Sequence, residues 1–383
     1  MTSSLAWRVP SAMFLIAAVA LLARPANAQG LRAETLVSGL QNPWSVAFLP
    51  QGRFLVTERP GRMWVIEADG KFGAPLPGLP AIDVGGQGGL LDVITDSGFA
   101  SNRRIYFCFS EPAASGGGNS TALARATLAS DNSRLEDVQV IFSQKPKFAS
   151  SAHFGCRIVE GQKEGKPDGT LFLTLGDRFS RMQDAQKLDN HHGKVVRINK
   201  DGSVPPDNPF VGRPGALPEI WSYGHRNMQG AALTPDGTYW THEHGPQGGD
   251  EINLPQPGLN YGWPVITYGE NYGGGKIGDG ITSKAGMEQP LHYWVPSIAP
   301  SGMVFLTSDK YGKAWQGNLF VGSLKFAYLN RIELSEPFKG KVVREQKLLE
   351  GAGRIRDVRQ GPDGLLYALT DSPQGRLLRL QPQ

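Results

Sequence analysis

The chain has 383 residues, 49 of them glycine and 28 proline, and a formal net charge of +4 at pH 7. This length exceeds the usual size of one hydrophobic core, so we expect either two domains or one closed repeat architecture. Frequent glycine and proline with only 19% charged residues is typical of a turn-rich β protein. A small net charge without a Lys/Arg stripe argues against nucleic acid as a partner.

The first 28 residues have the pattern of a secretory signal peptide. Arg8 precedes an apolar stretch over 12–23, and the small residues 26–28 form a cleavage site before Gln29. An apolar stretch of about 12 residues is too short to span a bilayer, which disfavours a membrane anchor. We therefore predict an exported protein without stable membrane insertion, whose mature domain covers residues 29–383.

One unit recurs along the mature chain: an apolar strand, a turn of the Pro-Asp-Gly type, a second strand, a polar corner and a third strand. Six copies begin at Trp44, Gly89, Phe154, Gly230, Gly302 and Ile355. Apolar and polar residues alternate within them with the period of half-buried strands, and no helical stripe or GxGxxG motif lies between them. We therefore predict an all-β fold, a six-bladed β-propeller of four-stranded antiparallel blades. Residues 31–37 would close the ring against the last unit, and 177–190 and 268–289 would be loops on one face.

The innermost strands of a propeller converge on its axis, so residues that precede these strands become neighbours. Polar and basic residues stand at or near these positions in five of the six units: Gln87, His153, Arg226, Asn227, Lys325, Arg354 and Arg356. Each has an ordinary explanation by itself: Lys325 as a solvated residue, His153 as a structural histidine, Arg356 as a partner of Asp357 or Asp371. Their recurrence favours a basic pocket for an acidic, planar molecule.

The segment THEHGPQGGDEIN, residues 241–253, must turn sharply at its glycines and its proline. Backbone carbonyls can converge there beside Asp250 and Glu251, and such an oxygen-rich site suits Ca²⁺. The alternative is a pair of solvated turn carboxylates. His242 and His244 form HEH and not HExxH, so we do not predict a zinc site.

The sequence contains two cysteines, Cys108 and Cys156. In an exported protein they can form one disulfide bond, but two buried free thiols are equally consistent with the sequence.

With these residues laid out, the chain resembles the soluble, pyrroloquinoline quinone (PQQ) dependent aldose sugar dehydrogenases, relatives of soluble glucose dehydrogenase and sorbosone dehydrogenase. The resemblance extends in order over nearly the whole mature chain. It rests on the motifs GGQGGLLDV, HFGCR, LTLGDR, WSYGHRNMQG, EHGPQGGDEIN, GLNYGWP, APSGM, GSLK and RIRDV.

The resemblance implies a periplasmic quinoprotein, monomeric or homodimeric, that oxidises aldoses at C1 to lactones and passes electrons to an unknown acceptor. By the match to HFGGR, His153 would take the proton from the C1 hydroxyl as hydride moves to PQQ. Gln87 would contact the substrate, and Arg226 would polarise the quinone oxygen. The residues that would hold PQQ are Asn227, Lys325, Arg354 and Arg356.

The resemblance also implies two calcium ions. The carbonyls of Gly245 and Pro246 would bind a catalytic Ca²⁺ that acts as a Lewis acid on PQQ. Glu251 and the carbonyl of Tyr261 would bind a second, structural ion.

Two positions depart from the family pattern. Cys156 replaces the second glycine of HFGGR, which raises the question of a Cys108–Cys156 bridge beside the site. Ala152 precedes His153 where the glucose dehydrogenases have an acid, which removes one candidate for orienting the base.

Two other functions remain open. A calcium-dependent propeller lactonase or phosphotriesterase would need Asp, Asn and Glu around an axial ion, whereas this axis is mostly cationic. A non-catalytic binding propeller is disfavoured because His153, Arg226, Lys325 and Arg356 are all present.

Overall fold

The computed structural model describes residues 1–2 and 30–383, so the predicted signal peptide lies almost entirely outside the described residues. The described strands form six antiparallel sheets, one after another along the chain. We number these sheets blades 1 to 6 in the order of their innermost strands.

The strands of blades 1 to 3 are β2 Pro43–Phe48, β3 Phe54–Glu58 and β4 Arg62–Ile66; β5 Leu90–Thr95, β6 Arg104–Pro112, β7 Asn119–Leu128 and β8 Leu135–Ser143; and β9 Gly155–Lys163, β10 Lys166–Leu175, β11 Lys194–Asn199 and β12 Ile220–Tyr223. The strands of blades 4 to 6 are β13 Met228–Leu233, β14 Tyr239–Glu243, β15 Asp250–Asn253 and β16 His292–Trp294; β17 Pro300–Phe305, β18 Leu319–Ser323, β19 Tyr328–Glu336 and β20 Lys339–Leu348; and β21 Ile355–Gln360, β22 Leu366–Thr370, β23 Gly375–Pro382 and β1 Leu31–Leu40. The described helices are short: α1 Phe99–Asn102 and the 3-10 turns Pro50–Gly52, Met182–Gln186 and Lys313–Trp315.

The architecture confirms the predicted six-bladed propeller. Within the described part of the chain, the inner strands β2, β5, β9, β13, β17 and β21 contact one another in sequence, and β21 also contacts β2. Five blades have four strands, as predicted, but blade 1 has three and only an isolated bridge from Ile66 to Phe72 beyond β4. The segment that follows, 73–80, contains three prolines, which cannot donate to a strand ladder.

The ring closes as predicted, between the two ends of the described domain. β1 is the outermost strand of blade 6 and pairs antiparallel with β23, from Leu31 opposite Pro382 to Leu40 opposite Gly375. Blade 6 therefore consists of three strands from the C-terminal end and one from the N-terminal end.

Apolar side chains fill the space between neighbouring blades. Leu55 and Met63 of blade 1, for example, pack in one cluster with Phe107 and Ala124 of blade 2, and all four are essentially inaccessible to solvent. Each buried large side chain contributes about 1.5–3 kcal/mol relative to an exposed one. Because successive side chains of a strand point to opposite faces of its sheet, one set of residues packs against the preceding blade and the other set packs against the following blade.

A buried ionic network that was not predicted from the sequence crosses the axis. Arg157 of β9 contacts Asp92 of β5 at 3.1 Å and Asp357 of β21 at 3.0 Å. Arg359 contacts the same two carboxylates at 2.7 and 3.1 Å. Two arginines thus balance two aspartates, so these charges are paired in a place where single charges would be costly.

The structure decides between the two alternatives for the cysteines. Cys108 of β6 and Cys156 of β9 form a disulfide bond that joins blade 2 to blade 3. Both residues are fully buried. Among the described residues, no helix is both long and apolar enough to cross a membrane.

Candidate active site

A cavity of about 460 Å³ lies at the axis. Five of the residues selected from the sequence line it: Gln87, Asn227, Lys325, Arg354 and Arg356. The cavity is also lined by residues that were not predicted as site residues, among them Arg59, Gln229, His244 and Asp371. Four basic side chains and one acidic side chain make this a cationic cavity.

His153 lies against this cavity, just before β9. Its neighbours Phe154 and Gly155 line the cavity, and its backbone N–H donates to Oε1 of Gln87 at 2.9 Å. The imidazole is buried, with 4% of the residue exposed. Its backbone φ of 54° lies in the left-handed region, where non-glycine residues are uncommon and often functional.

Asp177 orients the imidazole of His153. Oδ1 of Asp177 lies 2.6 Å from Nδ1 of His153. Oδ1 also accepts from the N–H of Phe179 at 2.8 Å, and Oδ2 accepts from Nε1 of Trp263 at 2.7 Å. Because a carboxylate only accepts hydrogen bonds, these contacts place the His153 proton on Nδ1 and leave Nε2 as the basic nitrogen.

Glycine makes this approach possible. Gly176 stands between β10 and Asp177, and a Cβ at that position would collide with the carbonyl group of His153. At the start of β9, a Cβ on Gly155 would likewise collide with the backbone of Thr174 and Gly176. Only glycine lets the ends of β9 and β10 come this close.

Burial lowers the pKa of His153, and the nearby cations Arg226 and Arg178 lower it further, whereas the contact with Asp177 raises it. The net shift favours the neutral imidazole near pH 7. A neutral, oriented imidazole with a free Nε2 is the form that accepts a proton.

Arg226 lies two residues before β13 and packs between the rings of Trp263 and Tyr272. Its guanidinium lies 5.3 Å from the ring of Trp263 and donates to the carbonyls of His244 and Gly245 at 3.0 and 2.7 Å. Its Nε is buried without a hydrogen-bond partner in the described part of the chain. Buried, unpaired donors are rare, and they are frequently explained by a ligand.

The basic residues of blades 5 and 6 face the same cavity. Arg356 donates to Asp371 at 2.9 Å and to Oε1 of Gln229 at 3.3 Å, so the pairing with Asp371 considered from the sequence does occur. Its Nε nevertheless has no partner among the described residues. Arg354 has 53% of its side chain exposed and contacts Asp371 at 3.4 Å. Lys325, just beyond β18, places Nζ 5.2 Å from the ring of Phe326.

Asn227 contacts the backbone that follows His153. Its Oδ1 accepts from the N–H of Gly155 at 3.1 Å and from Nε2 of Gln229 at 3.3 Å. On the opposite side, the N–H of Gln87 donates to the carbonyl of Ser151 at 2.7 Å. Blades 2 and 4 thus fix the backbone around His153.

A second, smaller cavity of about 10 Å³ lies beside Arg226 and is lined by Glu243, Gly245, Glu251 and Tyr261, among others. Glu243 and Glu251 are direct cross-strand partners in β14 and β15. Burial and the charge of Glu243 raise the pKa of Glu251 above its usual range. Like charges in this arrangement are unfavourable unless a cation lies between them, and the cavity has about the size of one ion or water.

The turn 245–249 has the sharp geometry expected from its glycines, with Gly248 and Gly249 at φ 84° and 70°. Asp250 anchors it: Oδ1 accepts from the N–H of Gly245 at 2.9 Å, and Oδ2 accepts from the N–H groups of Ile298 and Ala299. Asp250 is therefore a structural residue of this turn. Pro246 lines neither of the two cavities.

Comparison with known proteins identifies the family. The sequence model of the Glucose / Sorbosone dehydrogenase family matches residues 40–379. This chain belongs to that family. It is 44% identical over 368 residues to the aldose sugar dehydrogenase YliI of Escherichia coli, with 95% of each chain covered.

Solved structures agree with this glucose/sorbosone dehydrogenase assignment. The apo-form of the soluble aldose sugar dehydrogenase from Escherichia coli superposes with a TM-score of 0.84 at 42% identity, covering 92% of this chain and 100% of that one. The PQQ-bound aldose sugar dehydrogenase from Streptomyces coelicolor superposes with a TM-score of 0.74 at 28% identity, covering 94% and 100%.

Two residues of the candidate site in this glucose/sorbosone dehydrogenase family member, Asp177 and Glu243, were not predicted from the sequence. Asp177 was visible only as part of the LTLGDR motif, although a carboxylate two residues beyond a strand was a signal. Glu243 stands directly before His244 in THEHGPQGG and needed only the β14–β15 register to be recognised opposite Glu251.

Proposed function

We propose that this protein is a periplasmic, PQQ-dependent dehydrogenase that oxidises aldose sugars at C1 to lactones. The single observation that carries the proposal is a cationic axial cavity placed beside an oriented His153–Asp177 pair. Two relatives, an aldose sugar dehydrogenase from Escherichia coli and a PQQ-bound aldose sugar dehydrogenase from Streptomyces coelicolor, support the same function.

The cavity suits a planar, multiply anionic cofactor. Lys325, Arg354 and Arg356 would bind carboxylate groups, and Asn227 would donate to a quinone or carboxylate oxygen. Arg356, which lines the cavity, has a buried Nε without a partner in the described part of the chain. A ligand bound in the cavity would explain such an unpaired donor. When bound, PQQ supplies two-electron oxidation by accepting a hydride, and Ca²⁺ supplies Lewis acidity.

His153 is the general base of the proposed reaction. Its Nε2 accepts the proton of the C1 hydroxyl, and Asp177 stabilises the imidazolium that forms. Gln87 is exposed at the cavity and fixed through His153 N–H, so its amide nitrogen is available to a sugar hydroxyl. Arg226 contributes positive charge near the point where oxygen charge develops, and it is already oriented by two carbonyls.

Two calcium sites belong to the proposal. Gly245 and Pro246 would supply carbonyl oxygens to the catalytic ion. The Gly245 carbonyl already accepts from Arg226, and its second lone pair is left for the ion. Glu251 and Tyr261 would bind the second ion, with Glu243 opposite Glu251 providing the charge that such an ion neutralises.

Purified apoprotein, assayed by dye-linked oxidation of a panel of aldoses, tests the function. Activity should require PQQ and Ca²⁺ together. His153→Ala should lower kcat by about 10²-fold or more while PQQ still binds. Wild-type protein that oxidises no sugar and shows no PQQ-induced absorbance change would favour a hydrolase or a binding propeller, and an active His153→Ala variant would refute the assignment of the base.

A further inference from the structure

Two large apolar side chains are exposed side by side next to the proposed reacting groups. Phe179 is 51% exposed and Tyr272 is 63% exposed. Their ring centroids lie 6.4 Å apart with an interplanar angle of 24°. Single exposed apolar residues need no explanation, but a stacked pair beside a polar site is typical of a binding surface.

Each ring contacts one member of the proposed catalytic machinery. The ring of Phe179 lies 5.2 Å from the imidazole of His153, at 76° to it. The hydroxyl of Tyr272 accepts from Nη2 of Arg226 at 3.3 Å, and the guanidinium lies 6.0 Å from the Tyr272 ring. The pair therefore borders the place where a C1 hydroxyl must lie to reach His153.

The backbone holds Phe179 in this exposed position. Arg178 and Phe179 both have left-handed φ values, 61° and 64°, which bulky residues rarely adopt. The same Asp177 oxygen that orients His153 accepts the N–H of Phe179 at 2.8 Å. Arg178 is fully buried and donates to the carbonyls of Ala152 and His153 at 2.9 and 3.2 Å. One short segment thus fixes both the base and the aromatic ring beside it.

The two rings belong to two long loops on one face of the propeller, one from blade 3 and one from blade 4. The contact between the rings joins these two loops. Phe179 belongs to the loop after β10, and Tyr272 to the loop between β15 and β16. A pyranose has an apolar face of C–H groups and a polar rim of hydroxyls. An aromatic pair can pack against the apolar C–H face, while Gln87 and His153 can form hydrogen bonds with the hydroxyl rim.

We propose that Phe179 and Tyr272 form the platform on which the pyranose ring of the substrate stacks, and that they thereby help to determine which sugars are oxidised. This proposal rests on the proposed function. The platform buries the apolar face of the sugar and leaves the C1 hydroxyl directed at His153.

The test compares kcat, KM and the PQQ concentration for half-maximal reconstitution in variants loaded with PQQ and Ca²⁺. Phe179→Leu and Tyr272→Ala should each raise KM for D-glucose and D-xylose by about 3- to 10-fold, the effect of one aromatic contact, with little change in kcat or in PQQ binding. Phe179→Tyr and Tyr272→Phe retain the rings and should keep KM for both sugars within twofold of wild type. Val343→Ala, which shortens an exposed apolar side chain in β20, is the matched control.

Three results would overturn the platform. KM values within twofold of wild type in both ring-removing variants would show that the rings do not contact the sugar. An equal loss in Tyr272→Phe would assign the effect to the hydroxyl, and a parallel shift in PQQ reconstitution would assign the rings to the cofactor.

Failure of the proposed function gives a different pattern, because the wild type itself would then oxidise no sugar. In that case saturation-transfer NMR of D-glucose with the apoprotein decides the matter. Saturation transfer that is present in wild type and lost in Phe179→Leu and Tyr272→Ala supports the platform as a sugar site. No transfer in wild type refutes it.

Discussion

Replacing Asp177 by asparagine is expected to abolish most turnover while leaving the fold intact. The carboxylate accepts from three donors: His153, Phe179 and Trp263. An asparagine has only one acceptor oxygen, so its NH₂ group must face one of the two sides. If the oxygen keeps the contact with Trp263, the NH₂ group donates to Nδ1 of His153 and moves the imidazole proton to Nε2. The nitrogen that should accept the C1 proton is then blocked.

General-base catalysis contributes about 10²- to 10⁴-fold, so we expect kcat to fall at least 10²-fold, a loss of about 2.7 kcal/mol in transition-state stabilisation. The assay is dye-linked glucose oxidation by the reconstituted enzyme, with PQQ binding followed separately by absorbance. PQQ binding should be unchanged because Asp177 does not line the axial cavity.

The pH profile separates this explanation from simple misfolding. Activity requires neutral His153, so it falls as the pH drops through the His153 pKa. Asp177 raises that pKa against the effect of burial, so its removal should move the acidic limb of kcat/KM to lower pH even though the rate is smaller. Asp184→Asn is the matched control, because Asp184 forms a similar buried pair with His192 in the loop that also contains Asp177. Oδ2 of Asp184 lies 3.1 Å from Nδ1 of His192. A kcat within threefold of wild type, or an unmoved acidic limb, would refute the role of Asp177.

Three further predictions concern the cofactor, the metal and the disulfide bond. Arg356→Ala should raise the PQQ concentration for half-reconstitution by about 10- to 100-fold, the effect of one or two charged hydrogen bonds, and an unchanged titration would remove this contact. Calcium at a hundredfold excess over its Kd should stabilise the EDTA-treated protein by about 2.7 kcal/mol in thermal melts. The Glu251→Gln variant should lose most of this stabilisation. Equal stabilisation of the variant and the wild type would place the ion elsewhere. The denatured, unreduced protein should contain no free thiol, and Cys108→Ala/Cys156→Ala should lower the free energy of unfolding by about 2–4 kcal/mol; two titratable thiols in the wild type would contradict the bond.

The fold was predictable because each blade repeats one local pattern. Alternating apolar residues predict strands, and Pro-Asp-Gly turns predict the hairpins that join them, each from a short stretch of chain. The position of Gln87 and Arg354 at the axial cavity was predictable for the same reason, since each stands just before an inner strand. Blade 1 has three strands and not the predicted four, because the prolines after β4 prevent a fourth strand. These prolines were visible in the sequence, but the repeat pattern predicted the same four strands for every blade.

What could not be predicted depends on contacts between distant parts of the chain. The pairing of Arg157 with Asp92 and Asp357 joins three blades, and no local pattern reports on it. The position of Asp177 depends on how closely β10 approaches β9, which Gly176 permits. Ala152 removed one candidate for orienting His153, whereas the structure places the carboxylate of Asp177, from the loop after β10, beside the imidazole.

The pairing of β1 with β23 also bears on how the protein forms. Among the described strands, β1 is made first but can complete its sheet only after β23 exists, since Leu31 pairs with Pro382. Five blades can form from consecutive segments, but the sixth must wait until the whole chain has emerged. Non-local pairing of this kind slows folding and leaves strand edges open in the meantime. The exposed edges of β1 and β23 would then be the vulnerable surfaces of the newly made chain, and removing a few residues of β1 or β23 should delay folding more than it alters the finished active site.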